Sequence, residues 1–358
     1  MRWSVPCLLL AACTASTPTS PDDTDAIEVP ADLGVGVVSA TFVDASRGTP
    51  ANGDAPAIDR RTLPARVWYP SSVDPTVPSM EDAPLDTTMP WPIVVFVHGS
   101  SATPIVYGWV GEALARRGLI VVAADFPSTS LFSEGGPTDW HVEAQPGDVS
   151  FLVDRLEAGD VPILPADAVD LTRGFVVAGH STGGTVALLS AYMPDAHDDR
   201  VAGAIDLSGD ACFFGDDFFG TRPVPLLAIG GTDDLYVPAE NNVVRAWSLA
   251  TEPKTLAMLV GGTHLGFTSA PLADDPNVTP TRPGDPLADT LAAYGGGTAC
   301  EPVPARAGDP TMPSDEQHAL TAAWMGAFAD ATLRGDPAAL DALKSGGDAR
   351  VRVDAAAL

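Results

Sequence analysis

Lysine is nearly missing from this 358-residue chain: Lys254 and Lys344 are the only two, and 19 basic residues stand against 47 acidic ones, a formal net charge of -28. A surface of that sign repels phosphate backbones, so nucleic acid is not an expected partner. The same shortage removes the phosphate-binding loop of nucleotide hydrolases, which needs a lysine behind a run of glycines. Cysteine is scarce at four, and neither cysteines nor the six histidines fall in pairs with zinc spacing. The acidic pairs Asp198 with Asp199 and Asp216 with Asp217 read as solvated faces rather than calcium sites. No metal and no cofactor is expected, and no internal repeat is visible.

What the chain does have is length and apolar residues enough, at 45%, for one large α/β domain with a substantial core. Its longest leading apolar stretch, through Leu8, Leu9 and Leu10 to Ala11, Ala12 and Cys13, is too short to span a bilayer. It resembles a bacterial lipoprotein signal, in which the cysteine becomes the lipidated first residue. The expected organisation is a signal over 1–12, a Thr, Ser, Pro and Asp-rich tether over 13–35, a catalytic domain over 36–335, and a dispensable tail over 336–358. Localisation is then exported and lipid-anchored at Cys13, or secreted. Export to an oxidising compartment favours a disulfide between Cys212 and Cys300, with two free thiols as the alternative.

Near-continuous apolar runs at 93–97, 119–124, 175–178, 204–207, 226–229 and 256–260 have the composition of strands covered on both faces. Helical patterns at 106–117, 148–156, 182–192 and 239–250 alternate with them. That alternation predicts right-handed βαβ units and a mostly parallel sheet flanked by helices, with 37–44 and 62–69 as an antiparallel pair leading in. A last helix over 314–333 packs on the sheet. Loops at 131–146 and 209–222 and the Pro- and Gly-rich stretch 266–313 break the rhythm, and in such folds loops past strand ends carry the ligand site.

Ser181 lies in Gly179-His180-Ser181-Thr182-Gly183, between an apolar run and a helical one. A serine held in a tight strand-to-helix turn needs neighbours without Cβ, so that the chain doubles back and leaves Oγ exposed. Acyl transfer by serine also needs a base, a carboxylate to hold the imidazole, and NH donors for the oxyanion. Asp233 and Asp234 follow the strand at 226–229, and His264 follows the strand at 256–260 on a glycine-rich loop. The order serine, aspartate, histidine is that of α/β-hydrolases. The amide after the nucleophile, Thr182, supplies one oxyanion donor.

Three segments carry a resemblance: 94–99 ending in His98-Gly99, the elbow with its extra Gly184, and Gly-Thr-Asp-Asp-Leu-Tyr-Val-Pro at 231–238 paired with Gly-Gly-Thr-His at 261–264. Together they resemble serine esterases of the α/β-hydrolase superfamily, in the group of platelet-activating-factor acetylhydrolase, dienelactone-hydrolase-like proteins and cutinase-type polyester hydrolases. The segments 66–70 and 145–156 are similar to that group as well, and the resemblance spans roughly 37–333. It implies the α/β-hydrolase fold and a carboxylic ester hydrolase acting through a covalent acyl-enzyme on a small-molecule or polymeric ester. It favours Asp234 over Asp233 as the triad acid, because Asp234 stands four residues before Pro238. It also points to Ser100, with Ser101 as the alternative, for the second oxyanion amide, and to bracing and packing roles for His98 and His180. An aromatic residue is common at the Ser100 position of polyester hydrolases, so serine there weakens a polyester depolymerase. Acyl transfer to another alcohol is compatible with the same residues, and so is a catalytically silent binding protein on the same fold. His141 is a surface residue or touches substrate. Phe213 and Phe214, with Phe218 and Phe219, line an acyl pocket or form a satellite core under their loop.

Overall fold

The computed structural model describes residues 33–195, 197–270, 291, 312–345 and 351–356. Two long strands open it, β1 (Gly34–Asp44) and β2 (Arg61–Ser71), antiparallel in one unbroken register from Gly34 opposite Ser71 to Asp44 opposite Arg61. The two-residue β3 (Met80–Glu81) lies along β1. Then come β4 (Trp91–Val97), β5 (Ile120–Ala124), the short β6 (Val169–Asp170), β7 (Phe175–His180), β8 (Val201–Leu207), β9 (Leu226–Gly231), β10 (Lys254–Leu259) and β11 (Val351–Ala356). The sheet runs β11-β10-β9-β8-β7-β4-β5-β2-β1-β3, with β6 beside β4. From β5 across to β10 every pairing is parallel.

Both faces of this sheet are covered, which is why its strands read as uninterrupted apolar runs. Side chains alternate along a strand: Ile93, Val95 and Val97 of β4 enter one core, Val94 and Phe96 the other. The first core is closed by α2 (Gln145–Glu157), α3 (Thr182–Tyr192) and α4 (Val243–Leu249). The second is closed by α1 (Gly108–Arg116) and α5 (Ser314–Ala329), through Val110, Leu114, Trp324 and Phe328. A parallel sheet aligns its strand ends, so the loops after β4, β5, β7, β8, β9 and β10 gather at one edge.

The structure differs from the sequence reading in three places. The helix expected over 239–250 is a 3₁₀ turn, Ala239–Asn241, followed by α4. Asn242 interrupts it because its side chain is used elsewhere: Oδ1 accepts from the Cys212 amide at 3.1 Å and Nδ2 donates to the Pro238 carbonyl at 2.9 Å. After α5 the chain takes a π-helical turn, Asp330–Arg334, which ends at Gly335 with φ +69°. The segment beyond Gly335 then builds α6 (Pro337–Ser345) and β11, antiparallel to β10. Leu343 of α6 is buried in the second core, so the tail is part of the fold.

Candidate active site

The chain is tightly confined at the turn between β7 and α3. Ser181 has φ 56°, ψ -127°, a conformation that costs an L-residue roughly 1–3 kcal/mol and persists only where its surroundings enforce it. Its amide is held by the Leu207 carbonyl at 2.9 Å, and its own carbonyl accepts from the Thr185 amide at 3.1 Å. The flanking glycines are needed for close approach. A Cβ at Gly179 would lie 2.1 Å from the Gly183 carbonyl oxygen, and one at Gly183 would lie 2.1 Å from that of Val97. Among the described residues, five of the six non-glycine residues with positive φ sit past the carboxyl ends of the parallel strands: Ser101, Ser128, His141, Ser181 and Ser208. Strain concentrates on the edge where the expected chemistry lies.

His264 follows β10 and is 4% exposed; Asp234 follows β9 and is 6% exposed. His264 Nδ1 donates to Asp234 Oδ2 at 2.9 Å, which leaves Nε2 for another partner. Asp234 Oδ1 accepts from the amides of Tyr236 (3.0 Å) and Val237 (2.8 Å), so both carboxylate oxygens are engaged. Asp233 points elsewhere: its Oδ1 accepts from Thr232 Oγ1 and its amide donates to the Gly262 carbonyl. Of the two adjacent acids, only Asp234 meets the histidine. The His264 ring meets Tyr236, stacked at 5.2 Å, and His180, tilted at 4.5 Å. Because His180 immediately precedes Ser181, the imidazole lies against the elbow.

The loop after β4 completes the edge. A Cβ on Gly99 would be 3.1 Å from Ser181 Cβ, which places Ser100 beside the elbow. The Ser101 amide is already spent on the Thr129 carbonyl at 2.8 Å. The Ser100 amide makes no hydrogen bond among the described residues, and Thr182 opens α3, where the first amides have no intrahelical acceptor. These two donors are therefore free where Ser101 is not. The loop is braced from below by His98, whose Nε2 accepts from the Phe126 amide at 3.1 Å, which leaves Nδ1 to donate to the Gly99 carbonyl at 2.8 Å. Burial drives the pKa of His98 down to about 4, only partly offset by the Gly99 bond, so it stays neutral. Tyr107 joins loop to elbow: its hydroxyl accepts from the Gly99 amide at 3.2 Å and donates to His180 Nδ1 at 2.8 Å. Burial, followed by the proximity of His264, pushes the pKa of His180 well below the ordinary histidine value.

Other expected residues fall further from this centre. Phe213 and Phe214, expected as pocket lining or as satellite core, are 6% and 0% exposed. Phe214 stacks on Phe218 at 4.1 Å and meets Phe219 edge-on, and Tyr192 closes the group. Phe214, Phe218 and Phe219 pack on one another and Phe213 is buried in the same core, the arrangement of a satellite core. His141 stands in the loop after β5 with its ring half-exposed, 3.6 Å from the Glu143 carboxylate. Cys300 lies outside the described residues.

Two residues at the site carry no motif. Gln317, wholly buried on α5, accepts from the Thr263 amide at 3.1 Å and donates to the Thr263 carbonyl at 2.8 Å, clasping the residue before His264. Its signal in the sequence is a polar amide on the buried stripe Gln317, Thr321, Trp324, Phe328. Asp206, at the end of β8, is fully buried; its Oδ1 accepts from the Gly209 amide at 2.7 Å and its Oδ2 has no hydrogen-bond partner among the described residues. Burial raises its pKa to about 7, despite the Gly209 bond.

The family model for platelet-activating factor acetylhydrolase, isoform II, matches residues 63–132, from β2 through the loop after β5. Among solved structures the chain is similar to a ferulic acid esterase from Streptomyces cinnamoneus, with 25% identity and a TM-score of 0.63 over 92% of this chain and 98% of that one. Comparison with curated proteins finds no match. Fold and likenesses together define the class: this is an α/β-hydrolase of the serine esterase type, a carboxylesterase-type hydrolase. Within that class it resembles the platelet-activating factor acetylhydrolases.

Proposed function

We propose that the protein hydrolyses carboxylic esters through an acyl-enzyme on Ser181, with His264 as the proton carrier and Asp234 as its orienting acid. The hydrogen bond from His264 Nδ1 to Asp234 Oδ2 carries the reading, because it fixes the tautomer whose Nε2 is a base. In the first half-reaction Nε2 takes the Oγ proton as Oγ bonds to the ester carbonyl carbon. The resulting oxyanion is held by the Ser100 and Thr182 amides. Collapse breaks the bond to the alkoxy oxygen, which leaves as the alcohol with the proton from His264. Water then repeats the sequence on the acyl-enzyme, releasing the acid and restoring Ser181. Turnover of p-nitrophenyl butyrate by the wild type and its loss in Ser181→Ala test this, and equal rates would sink it.

The same proposal extends to place and processing. A disulfide between Cys212 and Cys300, the latter outside the described residues, is part of the same proposal and is supported by export to an oxidising compartment. Lipidation at Cys13, outside the described residues, rests on the signal pattern alone. Mass spectrometry of the protein extracted with detergent tests both: a diacylglyceryl mass on a peptide starting at Cys13, and a cross-linked Cys212–Cys300 peptide.

A further inference from the structure

A cavity of 530 Å³ lies between the hairpin insert joining β1 to β2 and the segment that follows β5; neither Ser181 nor His264 lines it. Its size falls within the roughly 300–1,000 Å³ of small-molecule sites. A second cavity of 310 Å³ adjoins it, sharing Pro64 and Asp125, and reaches Pro104 and Ile105 just past the oxyanion loop.

The walls are built. Arg61, at the base of the insert, is buried against Asp148 of α2 in a two-pronged ion pair, Nε to Oδ1 at 2.6 Å, and Arg47 is held by Asp44 at 2.7 Å. Asn52 at the insert's tip donates both amide hydrogens across the gap, to the carbonyls of Glu134 and Gly136. On the far wall Ser128 is strained at φ +80° and 5% exposed. That wall is tied to the oxyanion loop by the Ser101 amide on Thr129 and the Leu131 amide on the Ala102 carbonyl. The cavity wall and the loop that carries Ser100 are thus joined by backbone hydrogen bonds.

The lining selects a chemistry. Asp125 spends one oxygen on Ser130 Oγ at 2.7 Å, and its other oxygen makes no side-chain hydrogen bond among the described residues. Ser133 Oγ is buried with no partner among the described residues. Phe132 stands 69% exposed at the rim, a flat apolar platform that stacks on no other ring among the described residues. Asp125 and Glu134 outnumber Arg60 in the lining and, in a chain of net charge -28, oppose an anionic ligand. A carboxylate and a serine hydroxyl left over inside, beside an exposed ring, suit a neutral ring that carries several hydroxyls on its edge and C–H groups on its face.

We infer that this cavity is a subsite for a neutral sugar or polyol ring, the alcohol half of an ester whose acyl group meets Ser181. The inference rests on the esterase reading for its second half only. Calorimetric titration of the wild type with a panel of methyl pentosides and hexosides tests the first half. Saturable binding is expected, weakened about tenfold by Phe132→Ala and by Asp125→Asn while the melting temperature holds. Kinetics on the acetyl ester of the best-bound glycoside and on ethyl acetate test the second half: both variants should lose about tenfold in kcat/KM on the glycoside ester and nothing on ethyl acetate. Glycoside binding without hydrolysis of either ester would sink the esterase reading and leave the sugar site standing. No binding across the panel, or equal losses on both esters, would overturn the inference.

Discussion

Gln317 and Thr263 exchange two hydrogen bonds, side chain to backbone in both directions, at 3.1 and 2.8 Å. Thr263 is the residue before His264, so a buried amide on α5 sets where the imidazole's backbone begins. The clasp leaves no slack on either side: a Cβ on Gly266 would fall 2.2 Å from Gln317 Oε1. Replacing Gln317 by Leu keeps the bulk and removes both bonds. The expected result is a fall in kcat of about 10- to 100-fold with little change in KM, as a shifted base gives. A purely structural role would lower the melting temperature and leave kcat per folded molecule intact, so both are measured.

The adjacent acids give a sharper contrast. Asp234→Asn should cost on the order of 10³–10⁴-fold in kcat, because an amide facing His264 Nδ1 stabilises the wrong tautomer. Asp233→Asn, whose side chain accepts from Thr232 Oγ1 and not from His264, should stay within a few-fold of the wild type. Steady-state rates on p-nitrophenyl butyrate separate them, and the reverse ranking would reassign the acid.

Asp206 predicts a pH dependence of stability. Its folded pKa, about 7, is above the unfolded 3.8, so the folded state binds the proton more tightly across that window. The stability this contributes is full below pH 3.8 and is lost as pH rises through 7. His98 works the other way: its folded value of about 4 is below the ordinary 6.5, so its contribution is full above 6.5 and is lost as pH falls through 4. Asp206→Asn keeps an acceptor for the Gly209 amide and never ionises. Denaturant unfolding at pH 5 and pH 8 should show the variant gaining on the wild type at the higher pH, and a constant difference would contradict this.

The segment beyond Gly335 carries a prediction about the edge of the sheet. Truncation there removes β11 from β10 and takes Leu343 out of the second core. Loss of one buried leucine alone is worth roughly 1.5–3 kcal/mol, and the bared edge invites association. A melting temperature lower by roughly 5 °C or more is expected, together with a concentration-dependent rise in apparent mass by light scattering. An unchanged melting temperature would make the tail dispensable after all.

The order of strands and helices was legible because the sheet is buried on both faces: Ile93 to Val97 and Phe175 to Ala178 have no polar alternation to confuse them. Ser181, Asp234 and His264 stood out because each follows such a run with glycine at hand. How side chains turn was not legible. Asn242 divides a helix by bonding backward to Pro238, and Phe214, Phe218 and Phe219 pack on one another. Gln317 acts on a loop 54 residues upstream, a distance no local pattern bridges. The cavity at Phe132 is likewise made by two segments far apart in the chain, the insert near 50 and the loop near 130.

Everything proposed for the chemistry depends on Ser181 being the nucleophile. Treating the protein with a fluorophosphonate probe and mapping the adduct by peptide mass spectrometry tests this most directly. Stoichiometric labelling is expected on the peptide that contains Ser181, abolished in Ser181→Ala and slowed in Asp234→Asn. Labelling elsewhere, or none in a folded protein, would contradict it.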